Sequence, residues 1–475
     1  MKPDFEKLDR AFNPRVVVVV GDKKAEGYRW LRSLSTLQGE VYSVQIDPAE
    51  IPNIEALGVK NYLSLLDVPA EIDYVIVAVP RPVAPRVLED CIQKGVGAVS
   101  FFTSGFAETG TEEGRRLQDI LARRGREAGI NLVGPNCMGI FNPRLGLRFT
   151  LDQEAGQRGR VGFIAQSGTH LSYMSTVGPI NGIRLSKGVS YGNAIVLDSP
   201  DYMDYMLQDE ETEIIALYIE GVKDGRRFFR SLREAARRKP VLIWKGGETE
   251  DGTRATASHT GSLAESPLVW QALIRQGGAI KVDNLEEMID TLGGLLYFKP
   301  PRGNRVGLVA LSGGQSVIIT DAFARAGLRV PDLASESYQE LADFYNIIGG
   351  SYRNPFDVSP TMSSLDNLTR ILNILDRDEN IDSVALEISS LFMFRRWEKD
   401  PTYLDTLADT LAEFKSRSLK PFFIILVAGN REVMAVEARE RFVSREIATF
   451  PSFRRAAEAL GRVVEYYRSG VQGDT

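Results

Sequence analysis

The sequence predicts an α/β protein with doubly wound parallel sheets. Short, continuously apolar runs recur along the chain, first at 16–20, 41–46, 74–79 and 98–102. Runs of this kind are typical of strands buried on both faces of a parallel sheet. Helical patterns, such as the one at 82–94, lie between them, and this alternation indicates a doubly wound fold.

The pattern restarts twice along the chain. The octet VGFIAQSG at 161–168 returns as VGLVALSG at 306–313, which predicts the first strands of two related α/β units. Further strands are expected at 132–134, 214–219, 241–244, 384–388 and 422–427. A chain of 475 residues is too long for one core, so we expect three domains. Their predicted ranges are 1–147, 148–300 and 301–475, with a Pro/Gly-rich linker at 298–305.

Composition narrows the function classes. The net charge of −6 gives no basic field for nucleic acid. The two cysteines, Cys91 and Cys137, form no CxxC motif and suit a reducing cytosol. The apolar run at 16–20 is too short to span a membrane. Two histidines and two cysteines do not supply a usual zinc site, so we expect no protein-bound metal. We predict a cytoplasmic protein without nucleic-acid or membrane partners.

One formal match points to a serine hydrolase. Residues 188–192 read GVSYG, the G-x-S-x-G pattern around a nucleophilic serine, here Ser190. That site needs a helix immediately after the serine, and no helical pattern begins before Pro200. We therefore favour a glycine-rich turn after a strand.

Several strand–turn–helix junctions are candidates for anion binding. Ser167, Gly168 and Thr169 fall where a helix should begin after a strand, and free backbone N–H groups there attract anions. Simple capping by serine is the alternative. At the first junction Gly21 permits a tight turn, and Lys23 and Lys24 either meet phosphate or are solvated.

The stretch ASHTGSLAES at 257–266 holds His259 among small hydrogen-bonding residues. Glu220 ends an apolar strand at the carboxyl edge of a predicted sheet, where open α/β sheets gather reactive groups. A carboxylate at that edge would hold the Nδ1 proton of an imidazole and leave Nε2 as a nucleophile. The alternative is a purely structural histidine.

Taken together, these stretches resemble a known family. The segments that carry the resemblance, in chain order, are IDYVIVAVP (72–80), TSGFAETG (103–110), GPNCMGIFNP (134–143), IAQSGT (164–169), ALYIEGVKDGRRF (216–228), KGG (245–247) and ASHTGSLAES (257–266). They are similar to the α subunit of nucleoside-diphosphate-forming acyl-CoA synthetases, the superfamily of succinyl-CoA synthetase. The resemblance runs from about residue 14 to 465.

The resemblance implies a Rossmann-like CoA-binding domain, a flavodoxin-like ligase domain with a phosphohistidine, and a second flavodoxin-like domain. His259 would be phosphorylated and Glu220 would orient it. The residues implied to bind the phosphate are Gln166, Ser167, Gly168, Thr169, Thr260 and Gly261. The residues implied to bind CoA are Gly21, Lys23, Lys24, Val79, Pro80, Arg81, Ser104, Gly105, Phe106, Asn136 and Cys137.

The implied activity is carboxylate + CoA + ATP to acyl-CoA + ADP + phosphate through an acyl phosphate. Neither an ATP-grasp domain nor a Walker A motif is found, so we expect a separate ATP-grasp β subunit in an α2β2-type assembly, holding most of the ATP/ADP and Mg²⁺ contacts. A non-catalytic CoA- or acyl-CoA-binding regulatory protein of the same fold is the alternative.

Two segments depart from the family's pattern. The family's Gly-Ala-Ser at the first turn is Gly21-Asp22-Lys23, and its Asn-Pro-Lys after the second strand is Asp47-Pro48-Ala49. The added Asp22 should disfavour a pyrophosphate unless Lys23 or Lys24 offsets it.

Overall fold

The computed structural model describes residues 3–254, 266–311, 313–348, 350–358 and 364–470. The chain divides into two compact units, one of residues 1–179 and 184–283 and the other of residues 180–183 and 284–475. No helix within the described ranges is long and apolar enough to cross a membrane.

The first sheet is parallel and Rossmann-like, with strand order β3-β2-β1-β4-β5-β6. Its strands are β1 Val16–Val20, β2 Glu40–Val44, β3 Lys60–Tyr62, β4 Tyr74–Val77, β5 Ala98–Phe101 and β6 Asn131–Val133. Its helices are α1 Phe5–Phe12, α2 Arg29–Ser33, α3 Ile51–Ala56, α4 Ala84–Lys94 and α5 Glu112–Ala128. The valines of β1 are buried from Val17 onward, because the strand is central and covered on both faces.

The second sheet is flavodoxin-like, with strand order β12-β11-β10-β8-β9-β7. Its strands are β7 Gly139–Phe141, β8 Val161–Ala165, β9 Leu185–Ser190, β10 Ile214–Ile219, β11 Val241–Lys245 and β12 Ile280–Val282. Its helices are α6 Gly168–Ile180, α7 Ser199–Gln208, α8 Gly225–Arg238 and α9 Pro267–Gly277. Strand β7 pairs antiparallel with β9, with Ile140 opposite Val189, whereas the other pairs are parallel.

The third sheet belongs to the second unit and is parallel, with order β14-β13-β15-β16-β17. Its strands are β13 Val306–Ala310, β14 Phe356–Asp357, β15 Ser383–Ser389, β16 Phe422–Val427 and β17 Thr449–Phe450. The helices of this unit are α10 Leu285–Tyr297, α11 Gly313–Arg325, α12 Ser335–Ala342, α13 Leu365–Arg377, α14 Ser390–Lys399, α15 Tyr403–Arg417, α16 Glu432–Val443 and α17 Phe453–Arg468. Alternate residues of β16 enter two different cores: Phe422 and Ile424 pack in one, Phe423 and Ile425 in the other.

The predicted α/β fold is confirmed, with differences at strand ends. Strand β2 ends at Val44 rather than at 46, and Ile46 is exposed. The two related octets open β8 and β13, each followed by a helix. Short 3-10 turns occupy Lys24–Glu26, Leu34–Thr36, Leu65–Asp67, Arg81–Val83, Ala107–Thr109 and Pro143–Leu145. The limits of the three domains stay a prediction; β7 precedes residue 147 and lies in the second sheet.

Candidate functional site

A cavity of about 710 Å³ lies in the first unit, where the carboxyl edge of the first sheet meets the beginning of α6. Parallel strands bring their carboxyl ends to one edge, so the turns after β1, β4 and β5 all reach it. Predicted site residues that line the cavity are Gly21, Lys23, Val79, Pro80, Arg81, Ser104, Asn136, Cys137, Gln166, Ser167, Gly168 and Thr169.

The remaining predicted residues lie elsewhere. Lys24 is exposed and is not part of the cavity wall. Phe106 is fully buried in the core of the first sheet, and Gly105 precedes it in the same turn. Glu220 does not line the cavity, but its amide is bonded to the side chain of Gln166, which does. His259, Thr260 and Gly261 lie outside the described residues.

The first turn has little space for side chains. Gly21 has φ +87°, and a Cβ there would lie 2.6 Å from Cγ1 of Val79. Only glycine fits this position, because both the left-handed backbone and the neighbouring strand exclude a side chain. The turn therefore packs closely against the end of β4.

Asp22 does not present an exposed charge to this turn. Its side chain is 1% exposed, and its carboxylate accepts hydrogen bonds from the amides of Lys23 at 3.1 Å and Leu31 at 3.0 Å. Burial raises the pKa of the Asp22 carboxyl, and these backbone bonds oppose that rise. The carboxylate thus anchors the start of α2; that Lys23 or Lys24 offsets its charge toward a pyrophosphate stays a prediction.

The segment after β2 also holds the first turn. Glu50 accepts a hydrogen bond from the amide of Lys24 at 3.0 Å and another from the hydroxyl of Tyr28. Asp47 accepts a bond from the amide of Ala49 at 2.9 Å. Where the family carries a lysine, this chain therefore has an acidic segment that braces the turn.

Gln166 connects the cavity wall to Glu220. Its side-chain oxygen accepts hydrogen bonds from the amides of Glu220 at 2.8 Å and Gly221 at 3.2 Å. The amide of Gln166 donates to the carbonyl oxygen of Tyr218. The side-chain oxygen of Gln166 is therefore occupied in fixing the end of β10, while α6 begins at Gly168 with N–H groups that have no partner within the helix.

Glu220 is 8% exposed and sits in a polar cluster at the end of β10. Tyr218 donates its hydroxyl proton to Oε1 of Glu220 at 3.1 Å, and Nζ of the buried Lys245 donates to the carbonyl oxygen of Glu220 at 2.9 Å. Burial, together with the nearby Glu220, raises the pKa of Tyr218 well above its ordinary value. The phenol therefore stays a proton donor to this carboxylate at neutral pH.

Glu108 holds the turn after β5. Its Oε1 accepts hydrogen bonds from the amides of Gly105 at 2.6 Å and Phe106 at 3.1 Å, and its Oε2 accepts one from Nδ2 of Asn193 at 2.7 Å. These two amides, at positions predicted to bind CoA, are therefore already bonded within the chain. The same carboxylate joins a turn of the first sheet to the loop after β9.

Two loops interlock beside the cavity. The amide of Asn193 donates to the carbonyl oxygen of Pro135, and that of Ile195 to the carbonyl oxygen of Gly134. Gly192 lies under this crossing, and a Cβ there would lie 2.3 Å from the carbonyl oxygens of Asn136 and Pro135. The loops after β6 and β9 thus form one rigid wall.

Sequence reasoning missed several residues of the wall. They are Glu26, Arg29, Trp30, Ala78, Phe102, Thr103, Met138, Ser172, Tyr173 and Gly192. The adjacent Arg29 and Trp30, directly after the first turn, were a usable signal, because aromatic and guanidinium groups often line binding cavities.

The geometry at Ser190 does not suit a serine hydrolase, and the expected glycine-rich turn follows the strand at Gly192 and Asn193. Ser190 is the last residue of strand β9, and the next helix begins only at Ser199. Its buried hydroxyl accepts a hydrogen bond from the amide of Met138 at 3.1 Å. It therefore braces the wall and lacks the sharp strand-to-helix turn of a nucleophile.

Comparison with known proteins identifies the domain types. Residues 15–143 match the family model of a CoA binding domain. Residues 158–295 match that of a succinyl-CoA ligase like flavodoxin domain.

Relatives match over most of the chain. The chain is 36% identical to the acetate–CoA ligase [ADP-forming] II subunit alpha of Pyrococcus furiosus, covering 98% of this chain and 100% of the relative. It is 35% identical to the acetate–CoA ligase [ADP-forming] I of Archaeoglobus fulgidus over 79% of this chain, and spans 54% of that longer protein.

A solved structure has the same overall fold. The dinucleotide forming acetyl-coenzyme A synthetase 1 of Ca. Korarchaeum cryptofilum, in complex with phosphate and ADP, superposes with a TM-score of 0.83 at 28% identity, covering 97% of both chains. The chain therefore belongs to the family of ADP-forming acyl-CoA ligases.

Proposed function

We propose that this chain is the α subunit of an ADP-forming acyl-CoA synthetase, which converts a carboxylate, CoA and ATP to acyl-CoA, ADP and phosphate. The observation that carries the proposal is that the first turn, at Gly21, and the N-terminus of α6 line one cavity. A thioester lying against the first sheet would meet a phosphate held at that helix end. The two reacting groups would then lie in the same cavity.

The proposed reaction, written from acyl-CoA, has three transfers. An oxygen of inorganic phosphate forms a bond to the acyl carbon, the carbon–sulfur bond breaks, and the CoA thiol leaves. Nε2 of His259 then attacks the phosphorus of the acyl phosphate, and the carboxylate leaves. Finally an oxygen of the β-phosphate of ADP takes the phosphoryl group and the phosphorus–nitrogen bond breaks. Synthesis of acyl-CoA runs these steps in reverse.

The described residues have defined parts in this scheme. Helix α6 offers its free N–H groups to the phosphate oxygens. Glu220 orients the imidazole, and Gln166 and Tyr218 hold Glu220 in place. The preorganised donors stabilise charge without proton transfer at the phosphate.

A separate partner would complete the enzyme. The Pyrococcus relative that this chain matches along its whole length is named as an alpha subunit, which supports a second subunit. We propose that this partner is an ATP-grasp β subunit in an α2β2-type assembly and that it holds most of the contacts to the nucleotide and its Mg²⁺.

The test is phosphoryl labelling of the complex with its partner, using γ-labelled ATP. His259→Asn should abolish label on the α chain. The chain has two histidines, so His170→Asn is the matched control; it should keep the label even though the His170 ring lies 4.1 Å from that of Tyr218. If label persists in His259→Asn and disappears in His170→Asn, the phosphoryl acceptor is His170 and the assignment to His259 is wrong.

The same experiment separates the enzyme from a regulatory protein. A complex that binds CoA by calorimetry yet takes up no label in the wild type would favour the non-catalytic alternative. Glu220→Gln should slow labelling without unfolding the chain, and an unchanged rate would remove its proposed role.

A further inference from the structure

Arg29 is a cation of the cavity wall held on an aromatic surface. It begins helix α2, and its guanidinium carbon lies 5.6 Å from the ring centres of both Trp30 and Phe102. Contacts of this length are favourable for a guanidinium over an aromatic face. The rings fix the plane of the group and remove water from one side of it.

The guanidinium has few polar partners. Its Nε donates to the carbonyl oxygen of Phe149 at 3.3 Å, and its Nη2 lies 3.8 Å from Sδ of Met138. A guanidinium carries five N–H donors, and among the ion pairs of the described residues none involves Arg29. Its charge is therefore not balanced by a neighbouring carboxylate in this part of the chain.

The two acids of the cavity wall do not supply that balance. The carboxylate of Asp22 is buried and bonded to the amides of Lys23 and Leu31. Glu26 is exposed to solvent. A half-buried cation on aromatic rings is costly without an opposite charge, so the site is set up for an anion from outside the chain.

Arg29 also lies close to the beginning of α6. Its Nη2 contacts Met138. Cγ of Met138 would in turn lie 2.6 Å from a Cβ placed on Gly168, the first residue of that helix. The guanidinium and the positive end of the α6 dipole therefore belong to one cavity and both favour negative charge. Planar N–H groups of this kind match carboxylate and phosphate oxygens.

We propose that Arg29 binds the oxyanion substrate of this cavity, the inorganic phosphate or the carboxylate of the acid. The identity of the anion rests on the proposed function; the recognition itself rests on the geometry. Both ligands share the same chemistry, two or three anionic oxygens, and the test separates them. Arg29 would thus be a substrate-binding residue of the synthetase.

The test titrates the full chain, without ATP or partner, with three probes. Binding of inorganic phosphate is followed by ³¹P NMR, binding of ¹³C-labelled acetate by ¹³C NMR, and binding of CoA by calorimetry. The variants are Arg29→Met, which removes the charge, and Arg29→Lys, which keeps it without the planar fork. Arg32→Met is the matched control, because Arg32 is exposed on the same helix and outside the cavity wall.

We expect Arg29→Met to weaken binding of phosphate, acetate or both about tenfold or more, since a hydrogen bond to a charged group contributes on this scale. The anion affinity of Arg29→Lys should lie between those of Arg29→Met and the wild type, and that of Arg32→Met should match the wild type. The affinity for CoA should change less than about twofold in Arg29→Met. If only phosphate binding is weakened, Arg29 binds the inorganic phosphate. If only acetate binding is weakened, Arg29 binds the carboxylate of the acid.

Three results would overturn the proposal: wild-type binding of neither anion, unchanged binding of both in Arg29→Met, or a loss of CoA affinity as large as the loss for the anion. The last result would assign the guanidinium to the phosphates of CoA. This titration does not measure phosphorylation, so it is independent of the labelling experiment. If the chain binds phosphate through Arg29 but takes no label at His259, the proposed function is wrong and this inference still holds. Far-ultraviolet circular dichroism checks that Arg29→Met folds; Arg29→Lys carries the test if it does not.

Discussion

Asn193 donates a hydrogen bond of 2.7 Å from Nδ2 to Oε2 of Glu108, and this bond joins the loop after β9 to the turn after β5. The other carboxylate oxygen of Glu108 accepts the amides of Gly105 and Phe106. One side chain thus braces the cavity wall from two sides, and removing either partner should have unequal effects.

Glu108→Ala should cost more than Asn193→Ala. The first change leaves two backbone amides without their acceptor, so we expect a loss of about 2–3 kcal/mol in the free energy of unfolding. The second removes bonds to the half-buried side chains of Glu108 and Gln118, which can turn to water, so we expect about 1 kcal/mol. Urea unfolding followed by circular dichroism measures both, with the exposed Glu112→Ala as control. Equal losses in the two variants would show that the two amides do not depend on Glu108.

Gly192→Ala should be far more damaging than another Gly→Ala change at positive φ. Gly192 has φ +50°, and a Cβ there would overlap the carbonyl oxygens of Asn136 and Pro135. Gly129, at φ +65°, has nothing within 4 Å of such a Cβ. We expect Gly129→Ala to cost about 1 kcal/mol and Gly192→Ala at least about 3 kcal/mol in urea unfolding. Gly192→Ala should also weaken CoA binding measured by calorimetry; similar values for the two variants would contradict the interlocked wall.

Lys187→Met should destabilise the first unit strongly. Lys187 is 1% exposed on β9, and its Nζ lies 2.7 Å from Asp209 and 2.9 Å from Glu211. Removing the ammonium takes the ion-pair partner from Asp209, while Glu211 keeps its pair with Arg144. We therefore expect a loss of about 3 kcal/mol, the lower end of the cost for breaking a buried pair. Arg116→Met breaks an exposed pair with Glu113 and should change the unfolding free energy by less than about 1 kcal/mol. The two variants are compared in one urea series, and a small effect at Lys187 refutes the argument.

The stability of Asp22→Asn relative to the wild type should depend on pH. Burial raises the pKa of Asp22 in the folded chain above its unfolded value of about 3.9. The folded state then favours the protonated carboxyl, so this stabilising contribution is present below the unfolded pKa and is lost as pH rises through the folded pKa. Asparagine does not ionise, so the variant should gain on the wild type from about pH 4 to about pH 7.

Urea midpoints of both proteins at the two ends of that range test the sign. A relative stability of Asp22→Asn that falls with rising pH would mean that the carboxylate, rather than the neutral carboxyl, is the favoured form in the fold.

The strands were predictable because buried parallel strands leave continuous apolar runs, as in 16–20 and 214–219. The ends of the strands were less predictable. Ile46 extends the run of β2 in sequence, yet the strand stops at Val44 and Ile46 is exposed, since the chain must turn at the carboxyl edge. Apolar character alone does not record where a hydrogen-bonded ladder ends.

The cavity wall was predictable where short motifs set backbone geometry, as at Gly21 and at Ser167 to Thr169. It was not predictable where distant segments meet. Arg29 beside Trp30 suggests a binding surface in sequence, but only the structure shows that Phe102 lies against its guanidinium and that its Nε donates to the carbonyl oxygen of Phe149. Likewise nothing near Glu108 in sequence indicates that its partner is Asn193.

The position of β7 limits where this chain can be divided into fragments. The chain leaves β6 and within a few residues supplies the antiparallel edge of the next sheet, with Ile140 opposite Val189. A gene fragment that stops at residue 147 would carry that edge away and expose the backbone of β9 to aggregation. The two neighbouring α/β layers are therefore expected to be expressed, swapped and recombined only as one piece.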